Sequence, residues 1–333
     1  MCIRFEGRYR MRFKICKLGF TGAVHFGEGG LATSGDTLMA DTIYAALCQE
    51  AALQGGGLLE KFVERTSAGR LLISDGLPYV GGTFYVPKPV MEVAGGAEGD
   101  SGVKKALKKL RYIPIDKLDM YLRGGMDIAA EAVSFHDGFS MPDLIEKVKI
   151  PEDEVTRPYA VAIRRYRKDS GLYLCVGYEG EEECSLFSGL LELLAYSGIG
   201  GERSSGYGRF ETEWIPLEAN DDGSPAAHAA GAGELLRRLR MADAEKYMSL
   251  SVCLPTEEEL DDVITGADYL TVRRGGWVSS ATYADAPRKK RDIYMLAAGA
   301  VFGRRFSGGI YDVSEGGRHP VYRYGKPMLI GIG

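Results

Sequence analysis

The sequence is poor in the residues that build metal and covalent-catalytic sites. Its four histidines stand apart at 25, 136, 228 and 319, with no H-E-x-x-H pair and no cysteine partners. His136-Asp137 has the order of a metal-phosphohydrolase pair, but no further His and Asp ligands accompany it. Six cysteines, at 2, 16, 48, 175, 184 and 253, include no C-x-x-C. That excludes a zinc cage and a secreted disulfide framework and leaves buried free thiols. No G-x-S-x-G elbow occurs. No apolar run approaches the roughly 18 residues of a membrane helix, and the charged first twenty residues carry no h-region. A cytoplasmic protein without metal, cofactor or membrane partner is expected.

Glycine is what the chain has in excess, 45 of 333 residues, roughly twice ordinary usage. With the 13 prolines it stays short of the roughly 25% that marks low-complexity chains, so the glycines sit in loops between real elements. The length suggests two domains, each able to bury a core. The net charge of -5 argues against nucleic acid, but the charges are segregated. From 101 to 125 lie seven cations (Lys104, Lys105, Lys108, Lys109, Arg111, Lys117, Arg123) against Asp116 and Asp119. From 286 to 310 lie six (Arg288, Lys289, Lys290, Arg291, Arg304, Arg305) against Asp292. Acids gather at 152–154, 179–183 and 257–262. Such segregation describes either a basic face for a polyanion or merely solvated charge runs.

Met11 opens a cleaner strand, RFKICKLGF, so residues 1–10 read as an upstream extension. The loop GAVHFGEGG follows, then a helix with Thr33 and Asp36 in the T-x-x-D capping pattern and Met39, Ile43, Ala46 and Leu47 on one face. Strands at LLIS and TFYV lead to a long insertion, 94–157, in which Val103, Leu107 and Leu110 share a face among lysines. A loop of that length inside a domain is usually functional. YAVAIRRYR and GLYLCVGYEG alternate around Asp169-Ser170-Gly171 and predict a hairpin. A helix then carries Leu186, Leu190, Leu193 and Leu194 inward and stops at Gly198. Residues 216–244 read as a linker and short helix. Beyond 245 come a strand, a helix with a Thr256/Glu259 capping box, and three further strands. The expected fold is α+β: two tandem ferredoxin-like (RRM-like) domains, 11–215 and 245–333, of β-α-β-β-α-β order, with 94–157 inserted in the first.

Three segments have the chemistry of an RNA site. GIGGERSSGYGRF is neither G-x-G-x-x-G nor a P-loop, and it leaves a helix instead of opening one. Its backbone amides at Gly200, Gly201 and Gly206, the hydroxyls of Ser204 and Ser205, and Arg203 and Arg209 flanking Tyr207 suit a phosphodiester and a stacked base. A helix cap followed by a strand needs the same glycines. GGRHPVYRYGKPML interleaves Arg318, His319, Tyr322, Arg323, Tyr324 and Lys326, the alternation of cations and aromatics that single-stranded RNA recognition uses. It equally describes a strand with its tyrosines inward. Trp277, after Arg273, Arg274 and two glycines, reads the same two ways. His25 has the chemistry of a general base on a ribose 2′-hydroxyl, though no second acid or lysine stands beside it.

GAVHFG with SGDTLMADTIYAAL, GIGGERSSGYGRF and YDVSEGGRHPVYRYGKPML together resemble the RAMP superfamily of CRISPR proteins. The HPVYRYGKP tail and the KKALKKLRYIP stretch narrow the resemblance, which runs from about Met11 to the end, to the fourth-subunit family of the Csm (type III-A) interference complex. The resemblance implies a non-catalytic scaffold. It would cap and grip the 5′ handle of the CRISPR RNA and dock the large polymerase-like subunit beside the first backbone subunit. The insertion would form a thumb wedging the guide–target RNA duplex. By motif position it implies RNA binding at His25, Gly27 and Gly29, at Gly200 to Arg209, and at Arg318 to Lys326, with Lys104, Lys105, Lys108 and Lys109 lining the thumb. Another RAMP branch implies the alternative, a metal-independent endoribonuclease cutting CRISPR repeats with His25 as base.

Overall fold

Strand β1 (Arg12–Phe20) turns Phe13 and Ile15 to one side and Cys16 and Leu18 to the other, and all four are buried. An alternating strand buried on both sides belongs in the middle of a layered fold. The computed structural model, which describes residues 11–92, 101–149, 157–218 and 231–333, places β1 inside a seven-stranded antiparallel sheet. Of residues 101–104, 149 and 157 the backbone alone is described. Strand Phe210–Pro216 pairs with one edge of β1 and Ser170–Tyr178 with the other. Leu71–Ile73 and Leu77–Val80 follow, then Thr83–Pro87 and Tyr112–Pro114.

One face of the sheet is covered by α1 (Ala40–Gln54), α2 (Leu58–Ser67) and helix Glu181–Ser197, which bury Ile43, Tyr44, Leu47, Phe62, Phe187 and Leu190 against Cys16 and Leu18. On the long helix Phe187, Leu190, Leu191 and Leu194 are inward, while Leu193 is exposed. Gly198 ends it at φ 83°, a left-handed position that glycine adopts at no steric cost. The other face, through Phe13 and Ile15, meets Met248, Leu250, Val301 and Ile330 of the C-terminal half. There Lys246–Ser249 lies between Val301–Phe302 and Leu329–Ile332. The two halves therefore share a core.

Four local expectations are corrected. The T-x-x-D pattern does not cap α1. Its first amide, Ala40 N, donates to Asp75 Oδ1 at 2.7 Å, while Asp36 is taken by Arg111 at 3.1 Å. Arg157–Tyr166 does not pair with Ser170–Tyr178, both of whose edges are occupied. It folds back on Ser140–Lys149, in register from Ser140↔Tyr166 to Lys149↔Arg157. The 94–157 insertion does not stand apart as a whole either. Leu110, Ile113, Ile115 and Leu118 are buried in the shared core and Tyr112–Pro114 extends the sheet; what lies outside is the long hairpin, where Met141, Leu144 and Val148 are exposed. Finally, the C-terminal half lacks a complete β-α-β-β-α-β repeat. Leu260–Ile264 is the one helix from 245 to 333, because Gly303, Gly308, Gly309, Gly316, Gly317 and Pro320 crowd the stretch where a second would lie. The predicted capping box is half formed: Thr256 N donates to the Glu259 carboxylate at 3.2 Å. That carboxylate also accepts Ser307 N at 2.7 Å and Gly308 N at 3.0 Å. Burial raises the Glu259 pKa, but the amides of Ser307, Thr256 and Gly308 together hold it below the ordinary range.

Candidate nucleic-acid interface

The two glycine-rich loops lie against each other, and the reason is His25. Its imidazole is buried, with Nδ1 2.6 Å from Ala162 O on the long hairpin, and its carbonyl accepts Gly201 N at 2.8 Å. A Cβ at Gly200 would fall 2.6 Å from the His25 carbonyl oxygen, and one at Gly201 2.6 Å from the imidazole Cδ2. Gly208, at φ 78°, would set a Cβ 2.0 Å from Ile199 O. These three glycines are therefore required by the chain's own close packing. Gly206, at φ 82°, faces open space.

An open cleft of about 940 Å³ runs along this seam. Its floor is backbone, from Phe26 to Gly29 and from Gly198 to Gly201; one wall is the exposed side of α1, with Thr42 and Ala46. The opposite wall comes from the C-terminal half, where Arg273, Arg274, Gly275, Gly276 and Lys289 face it. Arg111 and Arg203 complete a ring of five cations against two carboxylates, Glu28 and Asp292. Asp292 receives Lys289 at 2.8 Å and Arg273 at 2.5 Å, and these two hydrogen bonds hold its pKa below the usual carboxylate range. Behind the wall Lys290 is pushed below the ordinary lysine range by burial and then by the neighbouring Arg323. A basic trough floored by glycine-rich backbone can take a phosphodiester backbone lengthwise.

Of the residues singled out by sequence, Gly27, Gly29, Gly200, Gly201 and Arg203 line this cleft. The amides of Gly201 and Gly206 are committed, to His25 O and Arg203 O respectively, which removes them as phosphate donors. Ser204, Ser205 and Tyr207 lie outside the cleft lining. Lys147 of the long hairpin pairs with Glu202, donates to Ser205 Oγ at 2.8 Å and stands 5.4 Å over the Tyr207 ring. Arg209 stacks on Tyr196 at 5.7 Å. Lys105, Lys108 and Lys109 are exposed on α3 (Ser101–Lys109), which packs on helix Ile128–Phe139; the Lys104 side chain falls outside the described residues.

The C-terminal motif is corrected most strongly. Arg323 is buried against Asp41, Tyr324 is buried with its hydroxyl accepting Ile73 N at 3.0 Å, and Lys326 is buried with Nζ 3.3 Å from Gly308 O. Tyr322 is half-buried, Arg318 pairs with Asp285, and exposed His319 rests edge-on against Tyr283 at 5.1 Å. Over Tyr322–Tyr324 the alternation marks a strand whose inward face closes the core, so Arg323, Tyr324 and Lys326 are not offered to a ligand, whereas Arg318 and His319 stay at the surface. Sequence reasoning missed Arg111, Arg273, Arg274 and Lys289 as a group. The charge windows contain Arg111 and Lys289, but nothing local joins them to the glycine loops.

Among the described residues no helix is long and apolar enough to cross a membrane, and no three His, Cys, Asp or Glu side chains gather as a metal site.

The family described as the CRISPR Csm4 C-terminal domain matches residues 242–332. Over 313 residues the chain is 39% identical to the CRISPR system Cms protein Csm4 of Mycobacterium tuberculosis, covering 92% of this chain and 94% of that one. Over 329 residues it is 30% identical to the protein of the same name from Streptococcus thermophilus, covering 96% and 98%. Its fold is similar to a chain in the crystal structure of a Csm3-Csm4 subcomplex of the type III-A CRISPR-Cas interference complex. The TM-score is 0.62 at 17% identity, over 97% of this chain and 99% of that one. It is also similar to a chain in the Csm1-Csm4 cassette in complex with cA4, with a TM-score of 0.57 at 19% identity over 97% and 98%.

Proposed function

The chain belongs to the Csm4 family of CRISPR proteins, and on that premise we propose that it is a non-catalytic RNA-binding scaffold subunit that grips the 5′ handle of the CRISPR RNA. One observation carries this reading: cations from both halves converge on a cleft floored by the two glycine loops. A handle lying there would place its phosphates against Arg111, Arg203, Arg273 and Lys289 and its sugars over peptide backbone.

The N-terminal half, with its strands ordered fourth, first, third, second, is read as a ferredoxin-like RAMP domain, and the C-terminal half as an abbreviated counterpart. The long hairpin is read as the thumb, near the start of a guide–target duplex. The large polymerase-like subunit and the first backbone subunit would dock on the faces outside the cleft; the solved relatives are chains of Csm1-Csm4 and Csm3-Csm4 assemblies. His25 does not favour the endoribonuclease reading: a general base must reach its substrate proton, and this ring is buried beneath the loops with Nδ1 engaged.

The test is a salt titration of binding to a single-stranded RNA carrying the handle. Arg203→Ala/Arg273→Ala should weaken binding and flatten the dependence of log affinity on log salt by about 0.7 per lost phosphate contact. Unchanged affinity and slope would remove the cleft as the RNA site.

A further inference from the structure

Trp277 is 66% exposed, an unusual position for the largest apolar side chain. It opens a two-residue strand, Trp277–Val278, paired with Arg288–Lys289, with Trp277 directly opposite Lys289. The two residues before it, Gly275 and Gly276, and the one across from it, Lys289, all line the cleft, so the chain places Trp277 next to the cleft's C-terminal wall, just beyond its lining.

Its mount is fixed. Lys290 N donates to Gly276 O at 2.8 Å, Arg323 donates to Gly275 O at 3.2 Å, and the Asp292 carboxylate occupies the space a Cβ at Gly275 would need. Among the described residues no other ring stacks on Trp277 and no cation covers it. The segment that carries it is polar and rich in cations. From 271 to 292 there are six cations and two carboxylates, and Ser279 and Ser280 follow the strand. A protein-docking tryptophan sits in an apolar patch. An exposed flat ring with no partner ring, on a cation-rich segment beside a basic trough, has the surroundings of a nucleobase platform instead.

We propose that Trp277 stacks a base of single-stranded RNA as the strand leaves the cleft, an inference that rests on the RNA reading above. Stacking uses the π-face that every base has, so it adds affinity without reading sequence and without displacing counterions. It differs in this from the cationic contacts along the trough.

The experiment uses the full chain and a handle-containing RNA. Trp277→Ala should weaken binding by about 5- to 150-fold with the salt slope unchanged, and Trp277→Tyr should recover most of the loss. RNA should quench the tryptophan fluorescence of wild type, and Trp277→Phe should abolish that quench while leaving the signal of Trp214, the other tryptophan. An abasic scan should find one position where removing the base costs nothing further in Trp277→Ala. Wild-type affinity in Trp277→Ala, or a quench that survives Trp277→Phe, overturns the platform while leaving the cleft reading intact. Retained RNA affinity with lost capture of a partner subunit overturns it in favour of a protein contact. A wild-type chain that binds no RNA overturns both.

Discussion

The Asp41 carboxylate, fully buried at the start of α1, holds the Arg323 guanidinium of strand Tyr322–Tyr324. Arg274 closes on the same carboxylate at 2.8 and 3.0 Å. Arg274 also lines the cleft, so the junction between the halves and the wall of the cleft are one arrangement. Two cations on one buried anion make that anion indispensable.

Asp41→Asn should therefore lose about 3–5 kcal/mol of stability, because it leaves two guanidiniums without their counter-charge, and the urea midpoint should fall accordingly. Arg323→Lys should also destabilise the wild-type chain, since a lysine cannot reach Asp41 and Gly275 O together as the guanidinium fork does. If Arg323→Ala leaves the midpoint unmoved and lowers RNA affinity instead, Arg323 is a ligand residue and its structural assignment falls.

Asp75 should give stability a pH dependence opposite to that of most carboxylates. Burial raises its pKa to about 7, against the opposing pull of the Ala40 and Val252 amides; Asp41 adds to the rise and Arg274 reduces it. An acid whose folded pKa lies above its unfolded value of about 3.9 keeps a proton in the folded state that the unfolded chain has released. Its effect on stability therefore becomes unfavourable as pH rises from about 4 to 7, and is constant above that. Asp75→Asn keeps an oxygen for the two amides and cannot ionise. Measured by denaturation across pH, the variant should gain on wild type through this window; a difference flat from pH 4 to 8 would show that Asp75 does not titrate there.

The glycines of the second loop should separate by substitution. Gly208→Ala must clear a backbone oxygen 2.0 Å away and should unfold or badly destabilise the loop. Gly206→Ala meets nothing and carries only the strain of a left-handed residue, about 1–2 kcal/mol. Thermal melts that rank the two equally would contradict the packing described.

Asp292 neutralises two of the cleft's cations, Arg273 and Lys289. Asp292→Asn should therefore tighten RNA binding, most at low salt where electrostatic contacts are least screened. Weaker or unchanged binding at low salt would mean that these cations do not meet phosphate.

Much of this protein is legible without coordinates, wherever the signal is local. The strand at 12–20, the helix that turns Leu190 and Leu194 inward, and the stop at Gly198 each follow from backbone geometry within a few residues, although the same reading sets Leu193 inward where the structure exposes it. The segregation of charge is equally a property of the chain as written. What the tertiary structure alone decided is pairing and desolvation. Residues 157–166 alternate as a strand should, but their partner is set by which sheet edges remain open. Tyr322, Arg323 and Tyr324 alternate identically whether the arginine faces RNA or a buried carboxylate 282 positions away in the chain. His25 looks like a catalytic base until two loops distant in sequence close over it. Period and φ are local quantities, whereas burial and electrostatic partnership are sums over the whole fold.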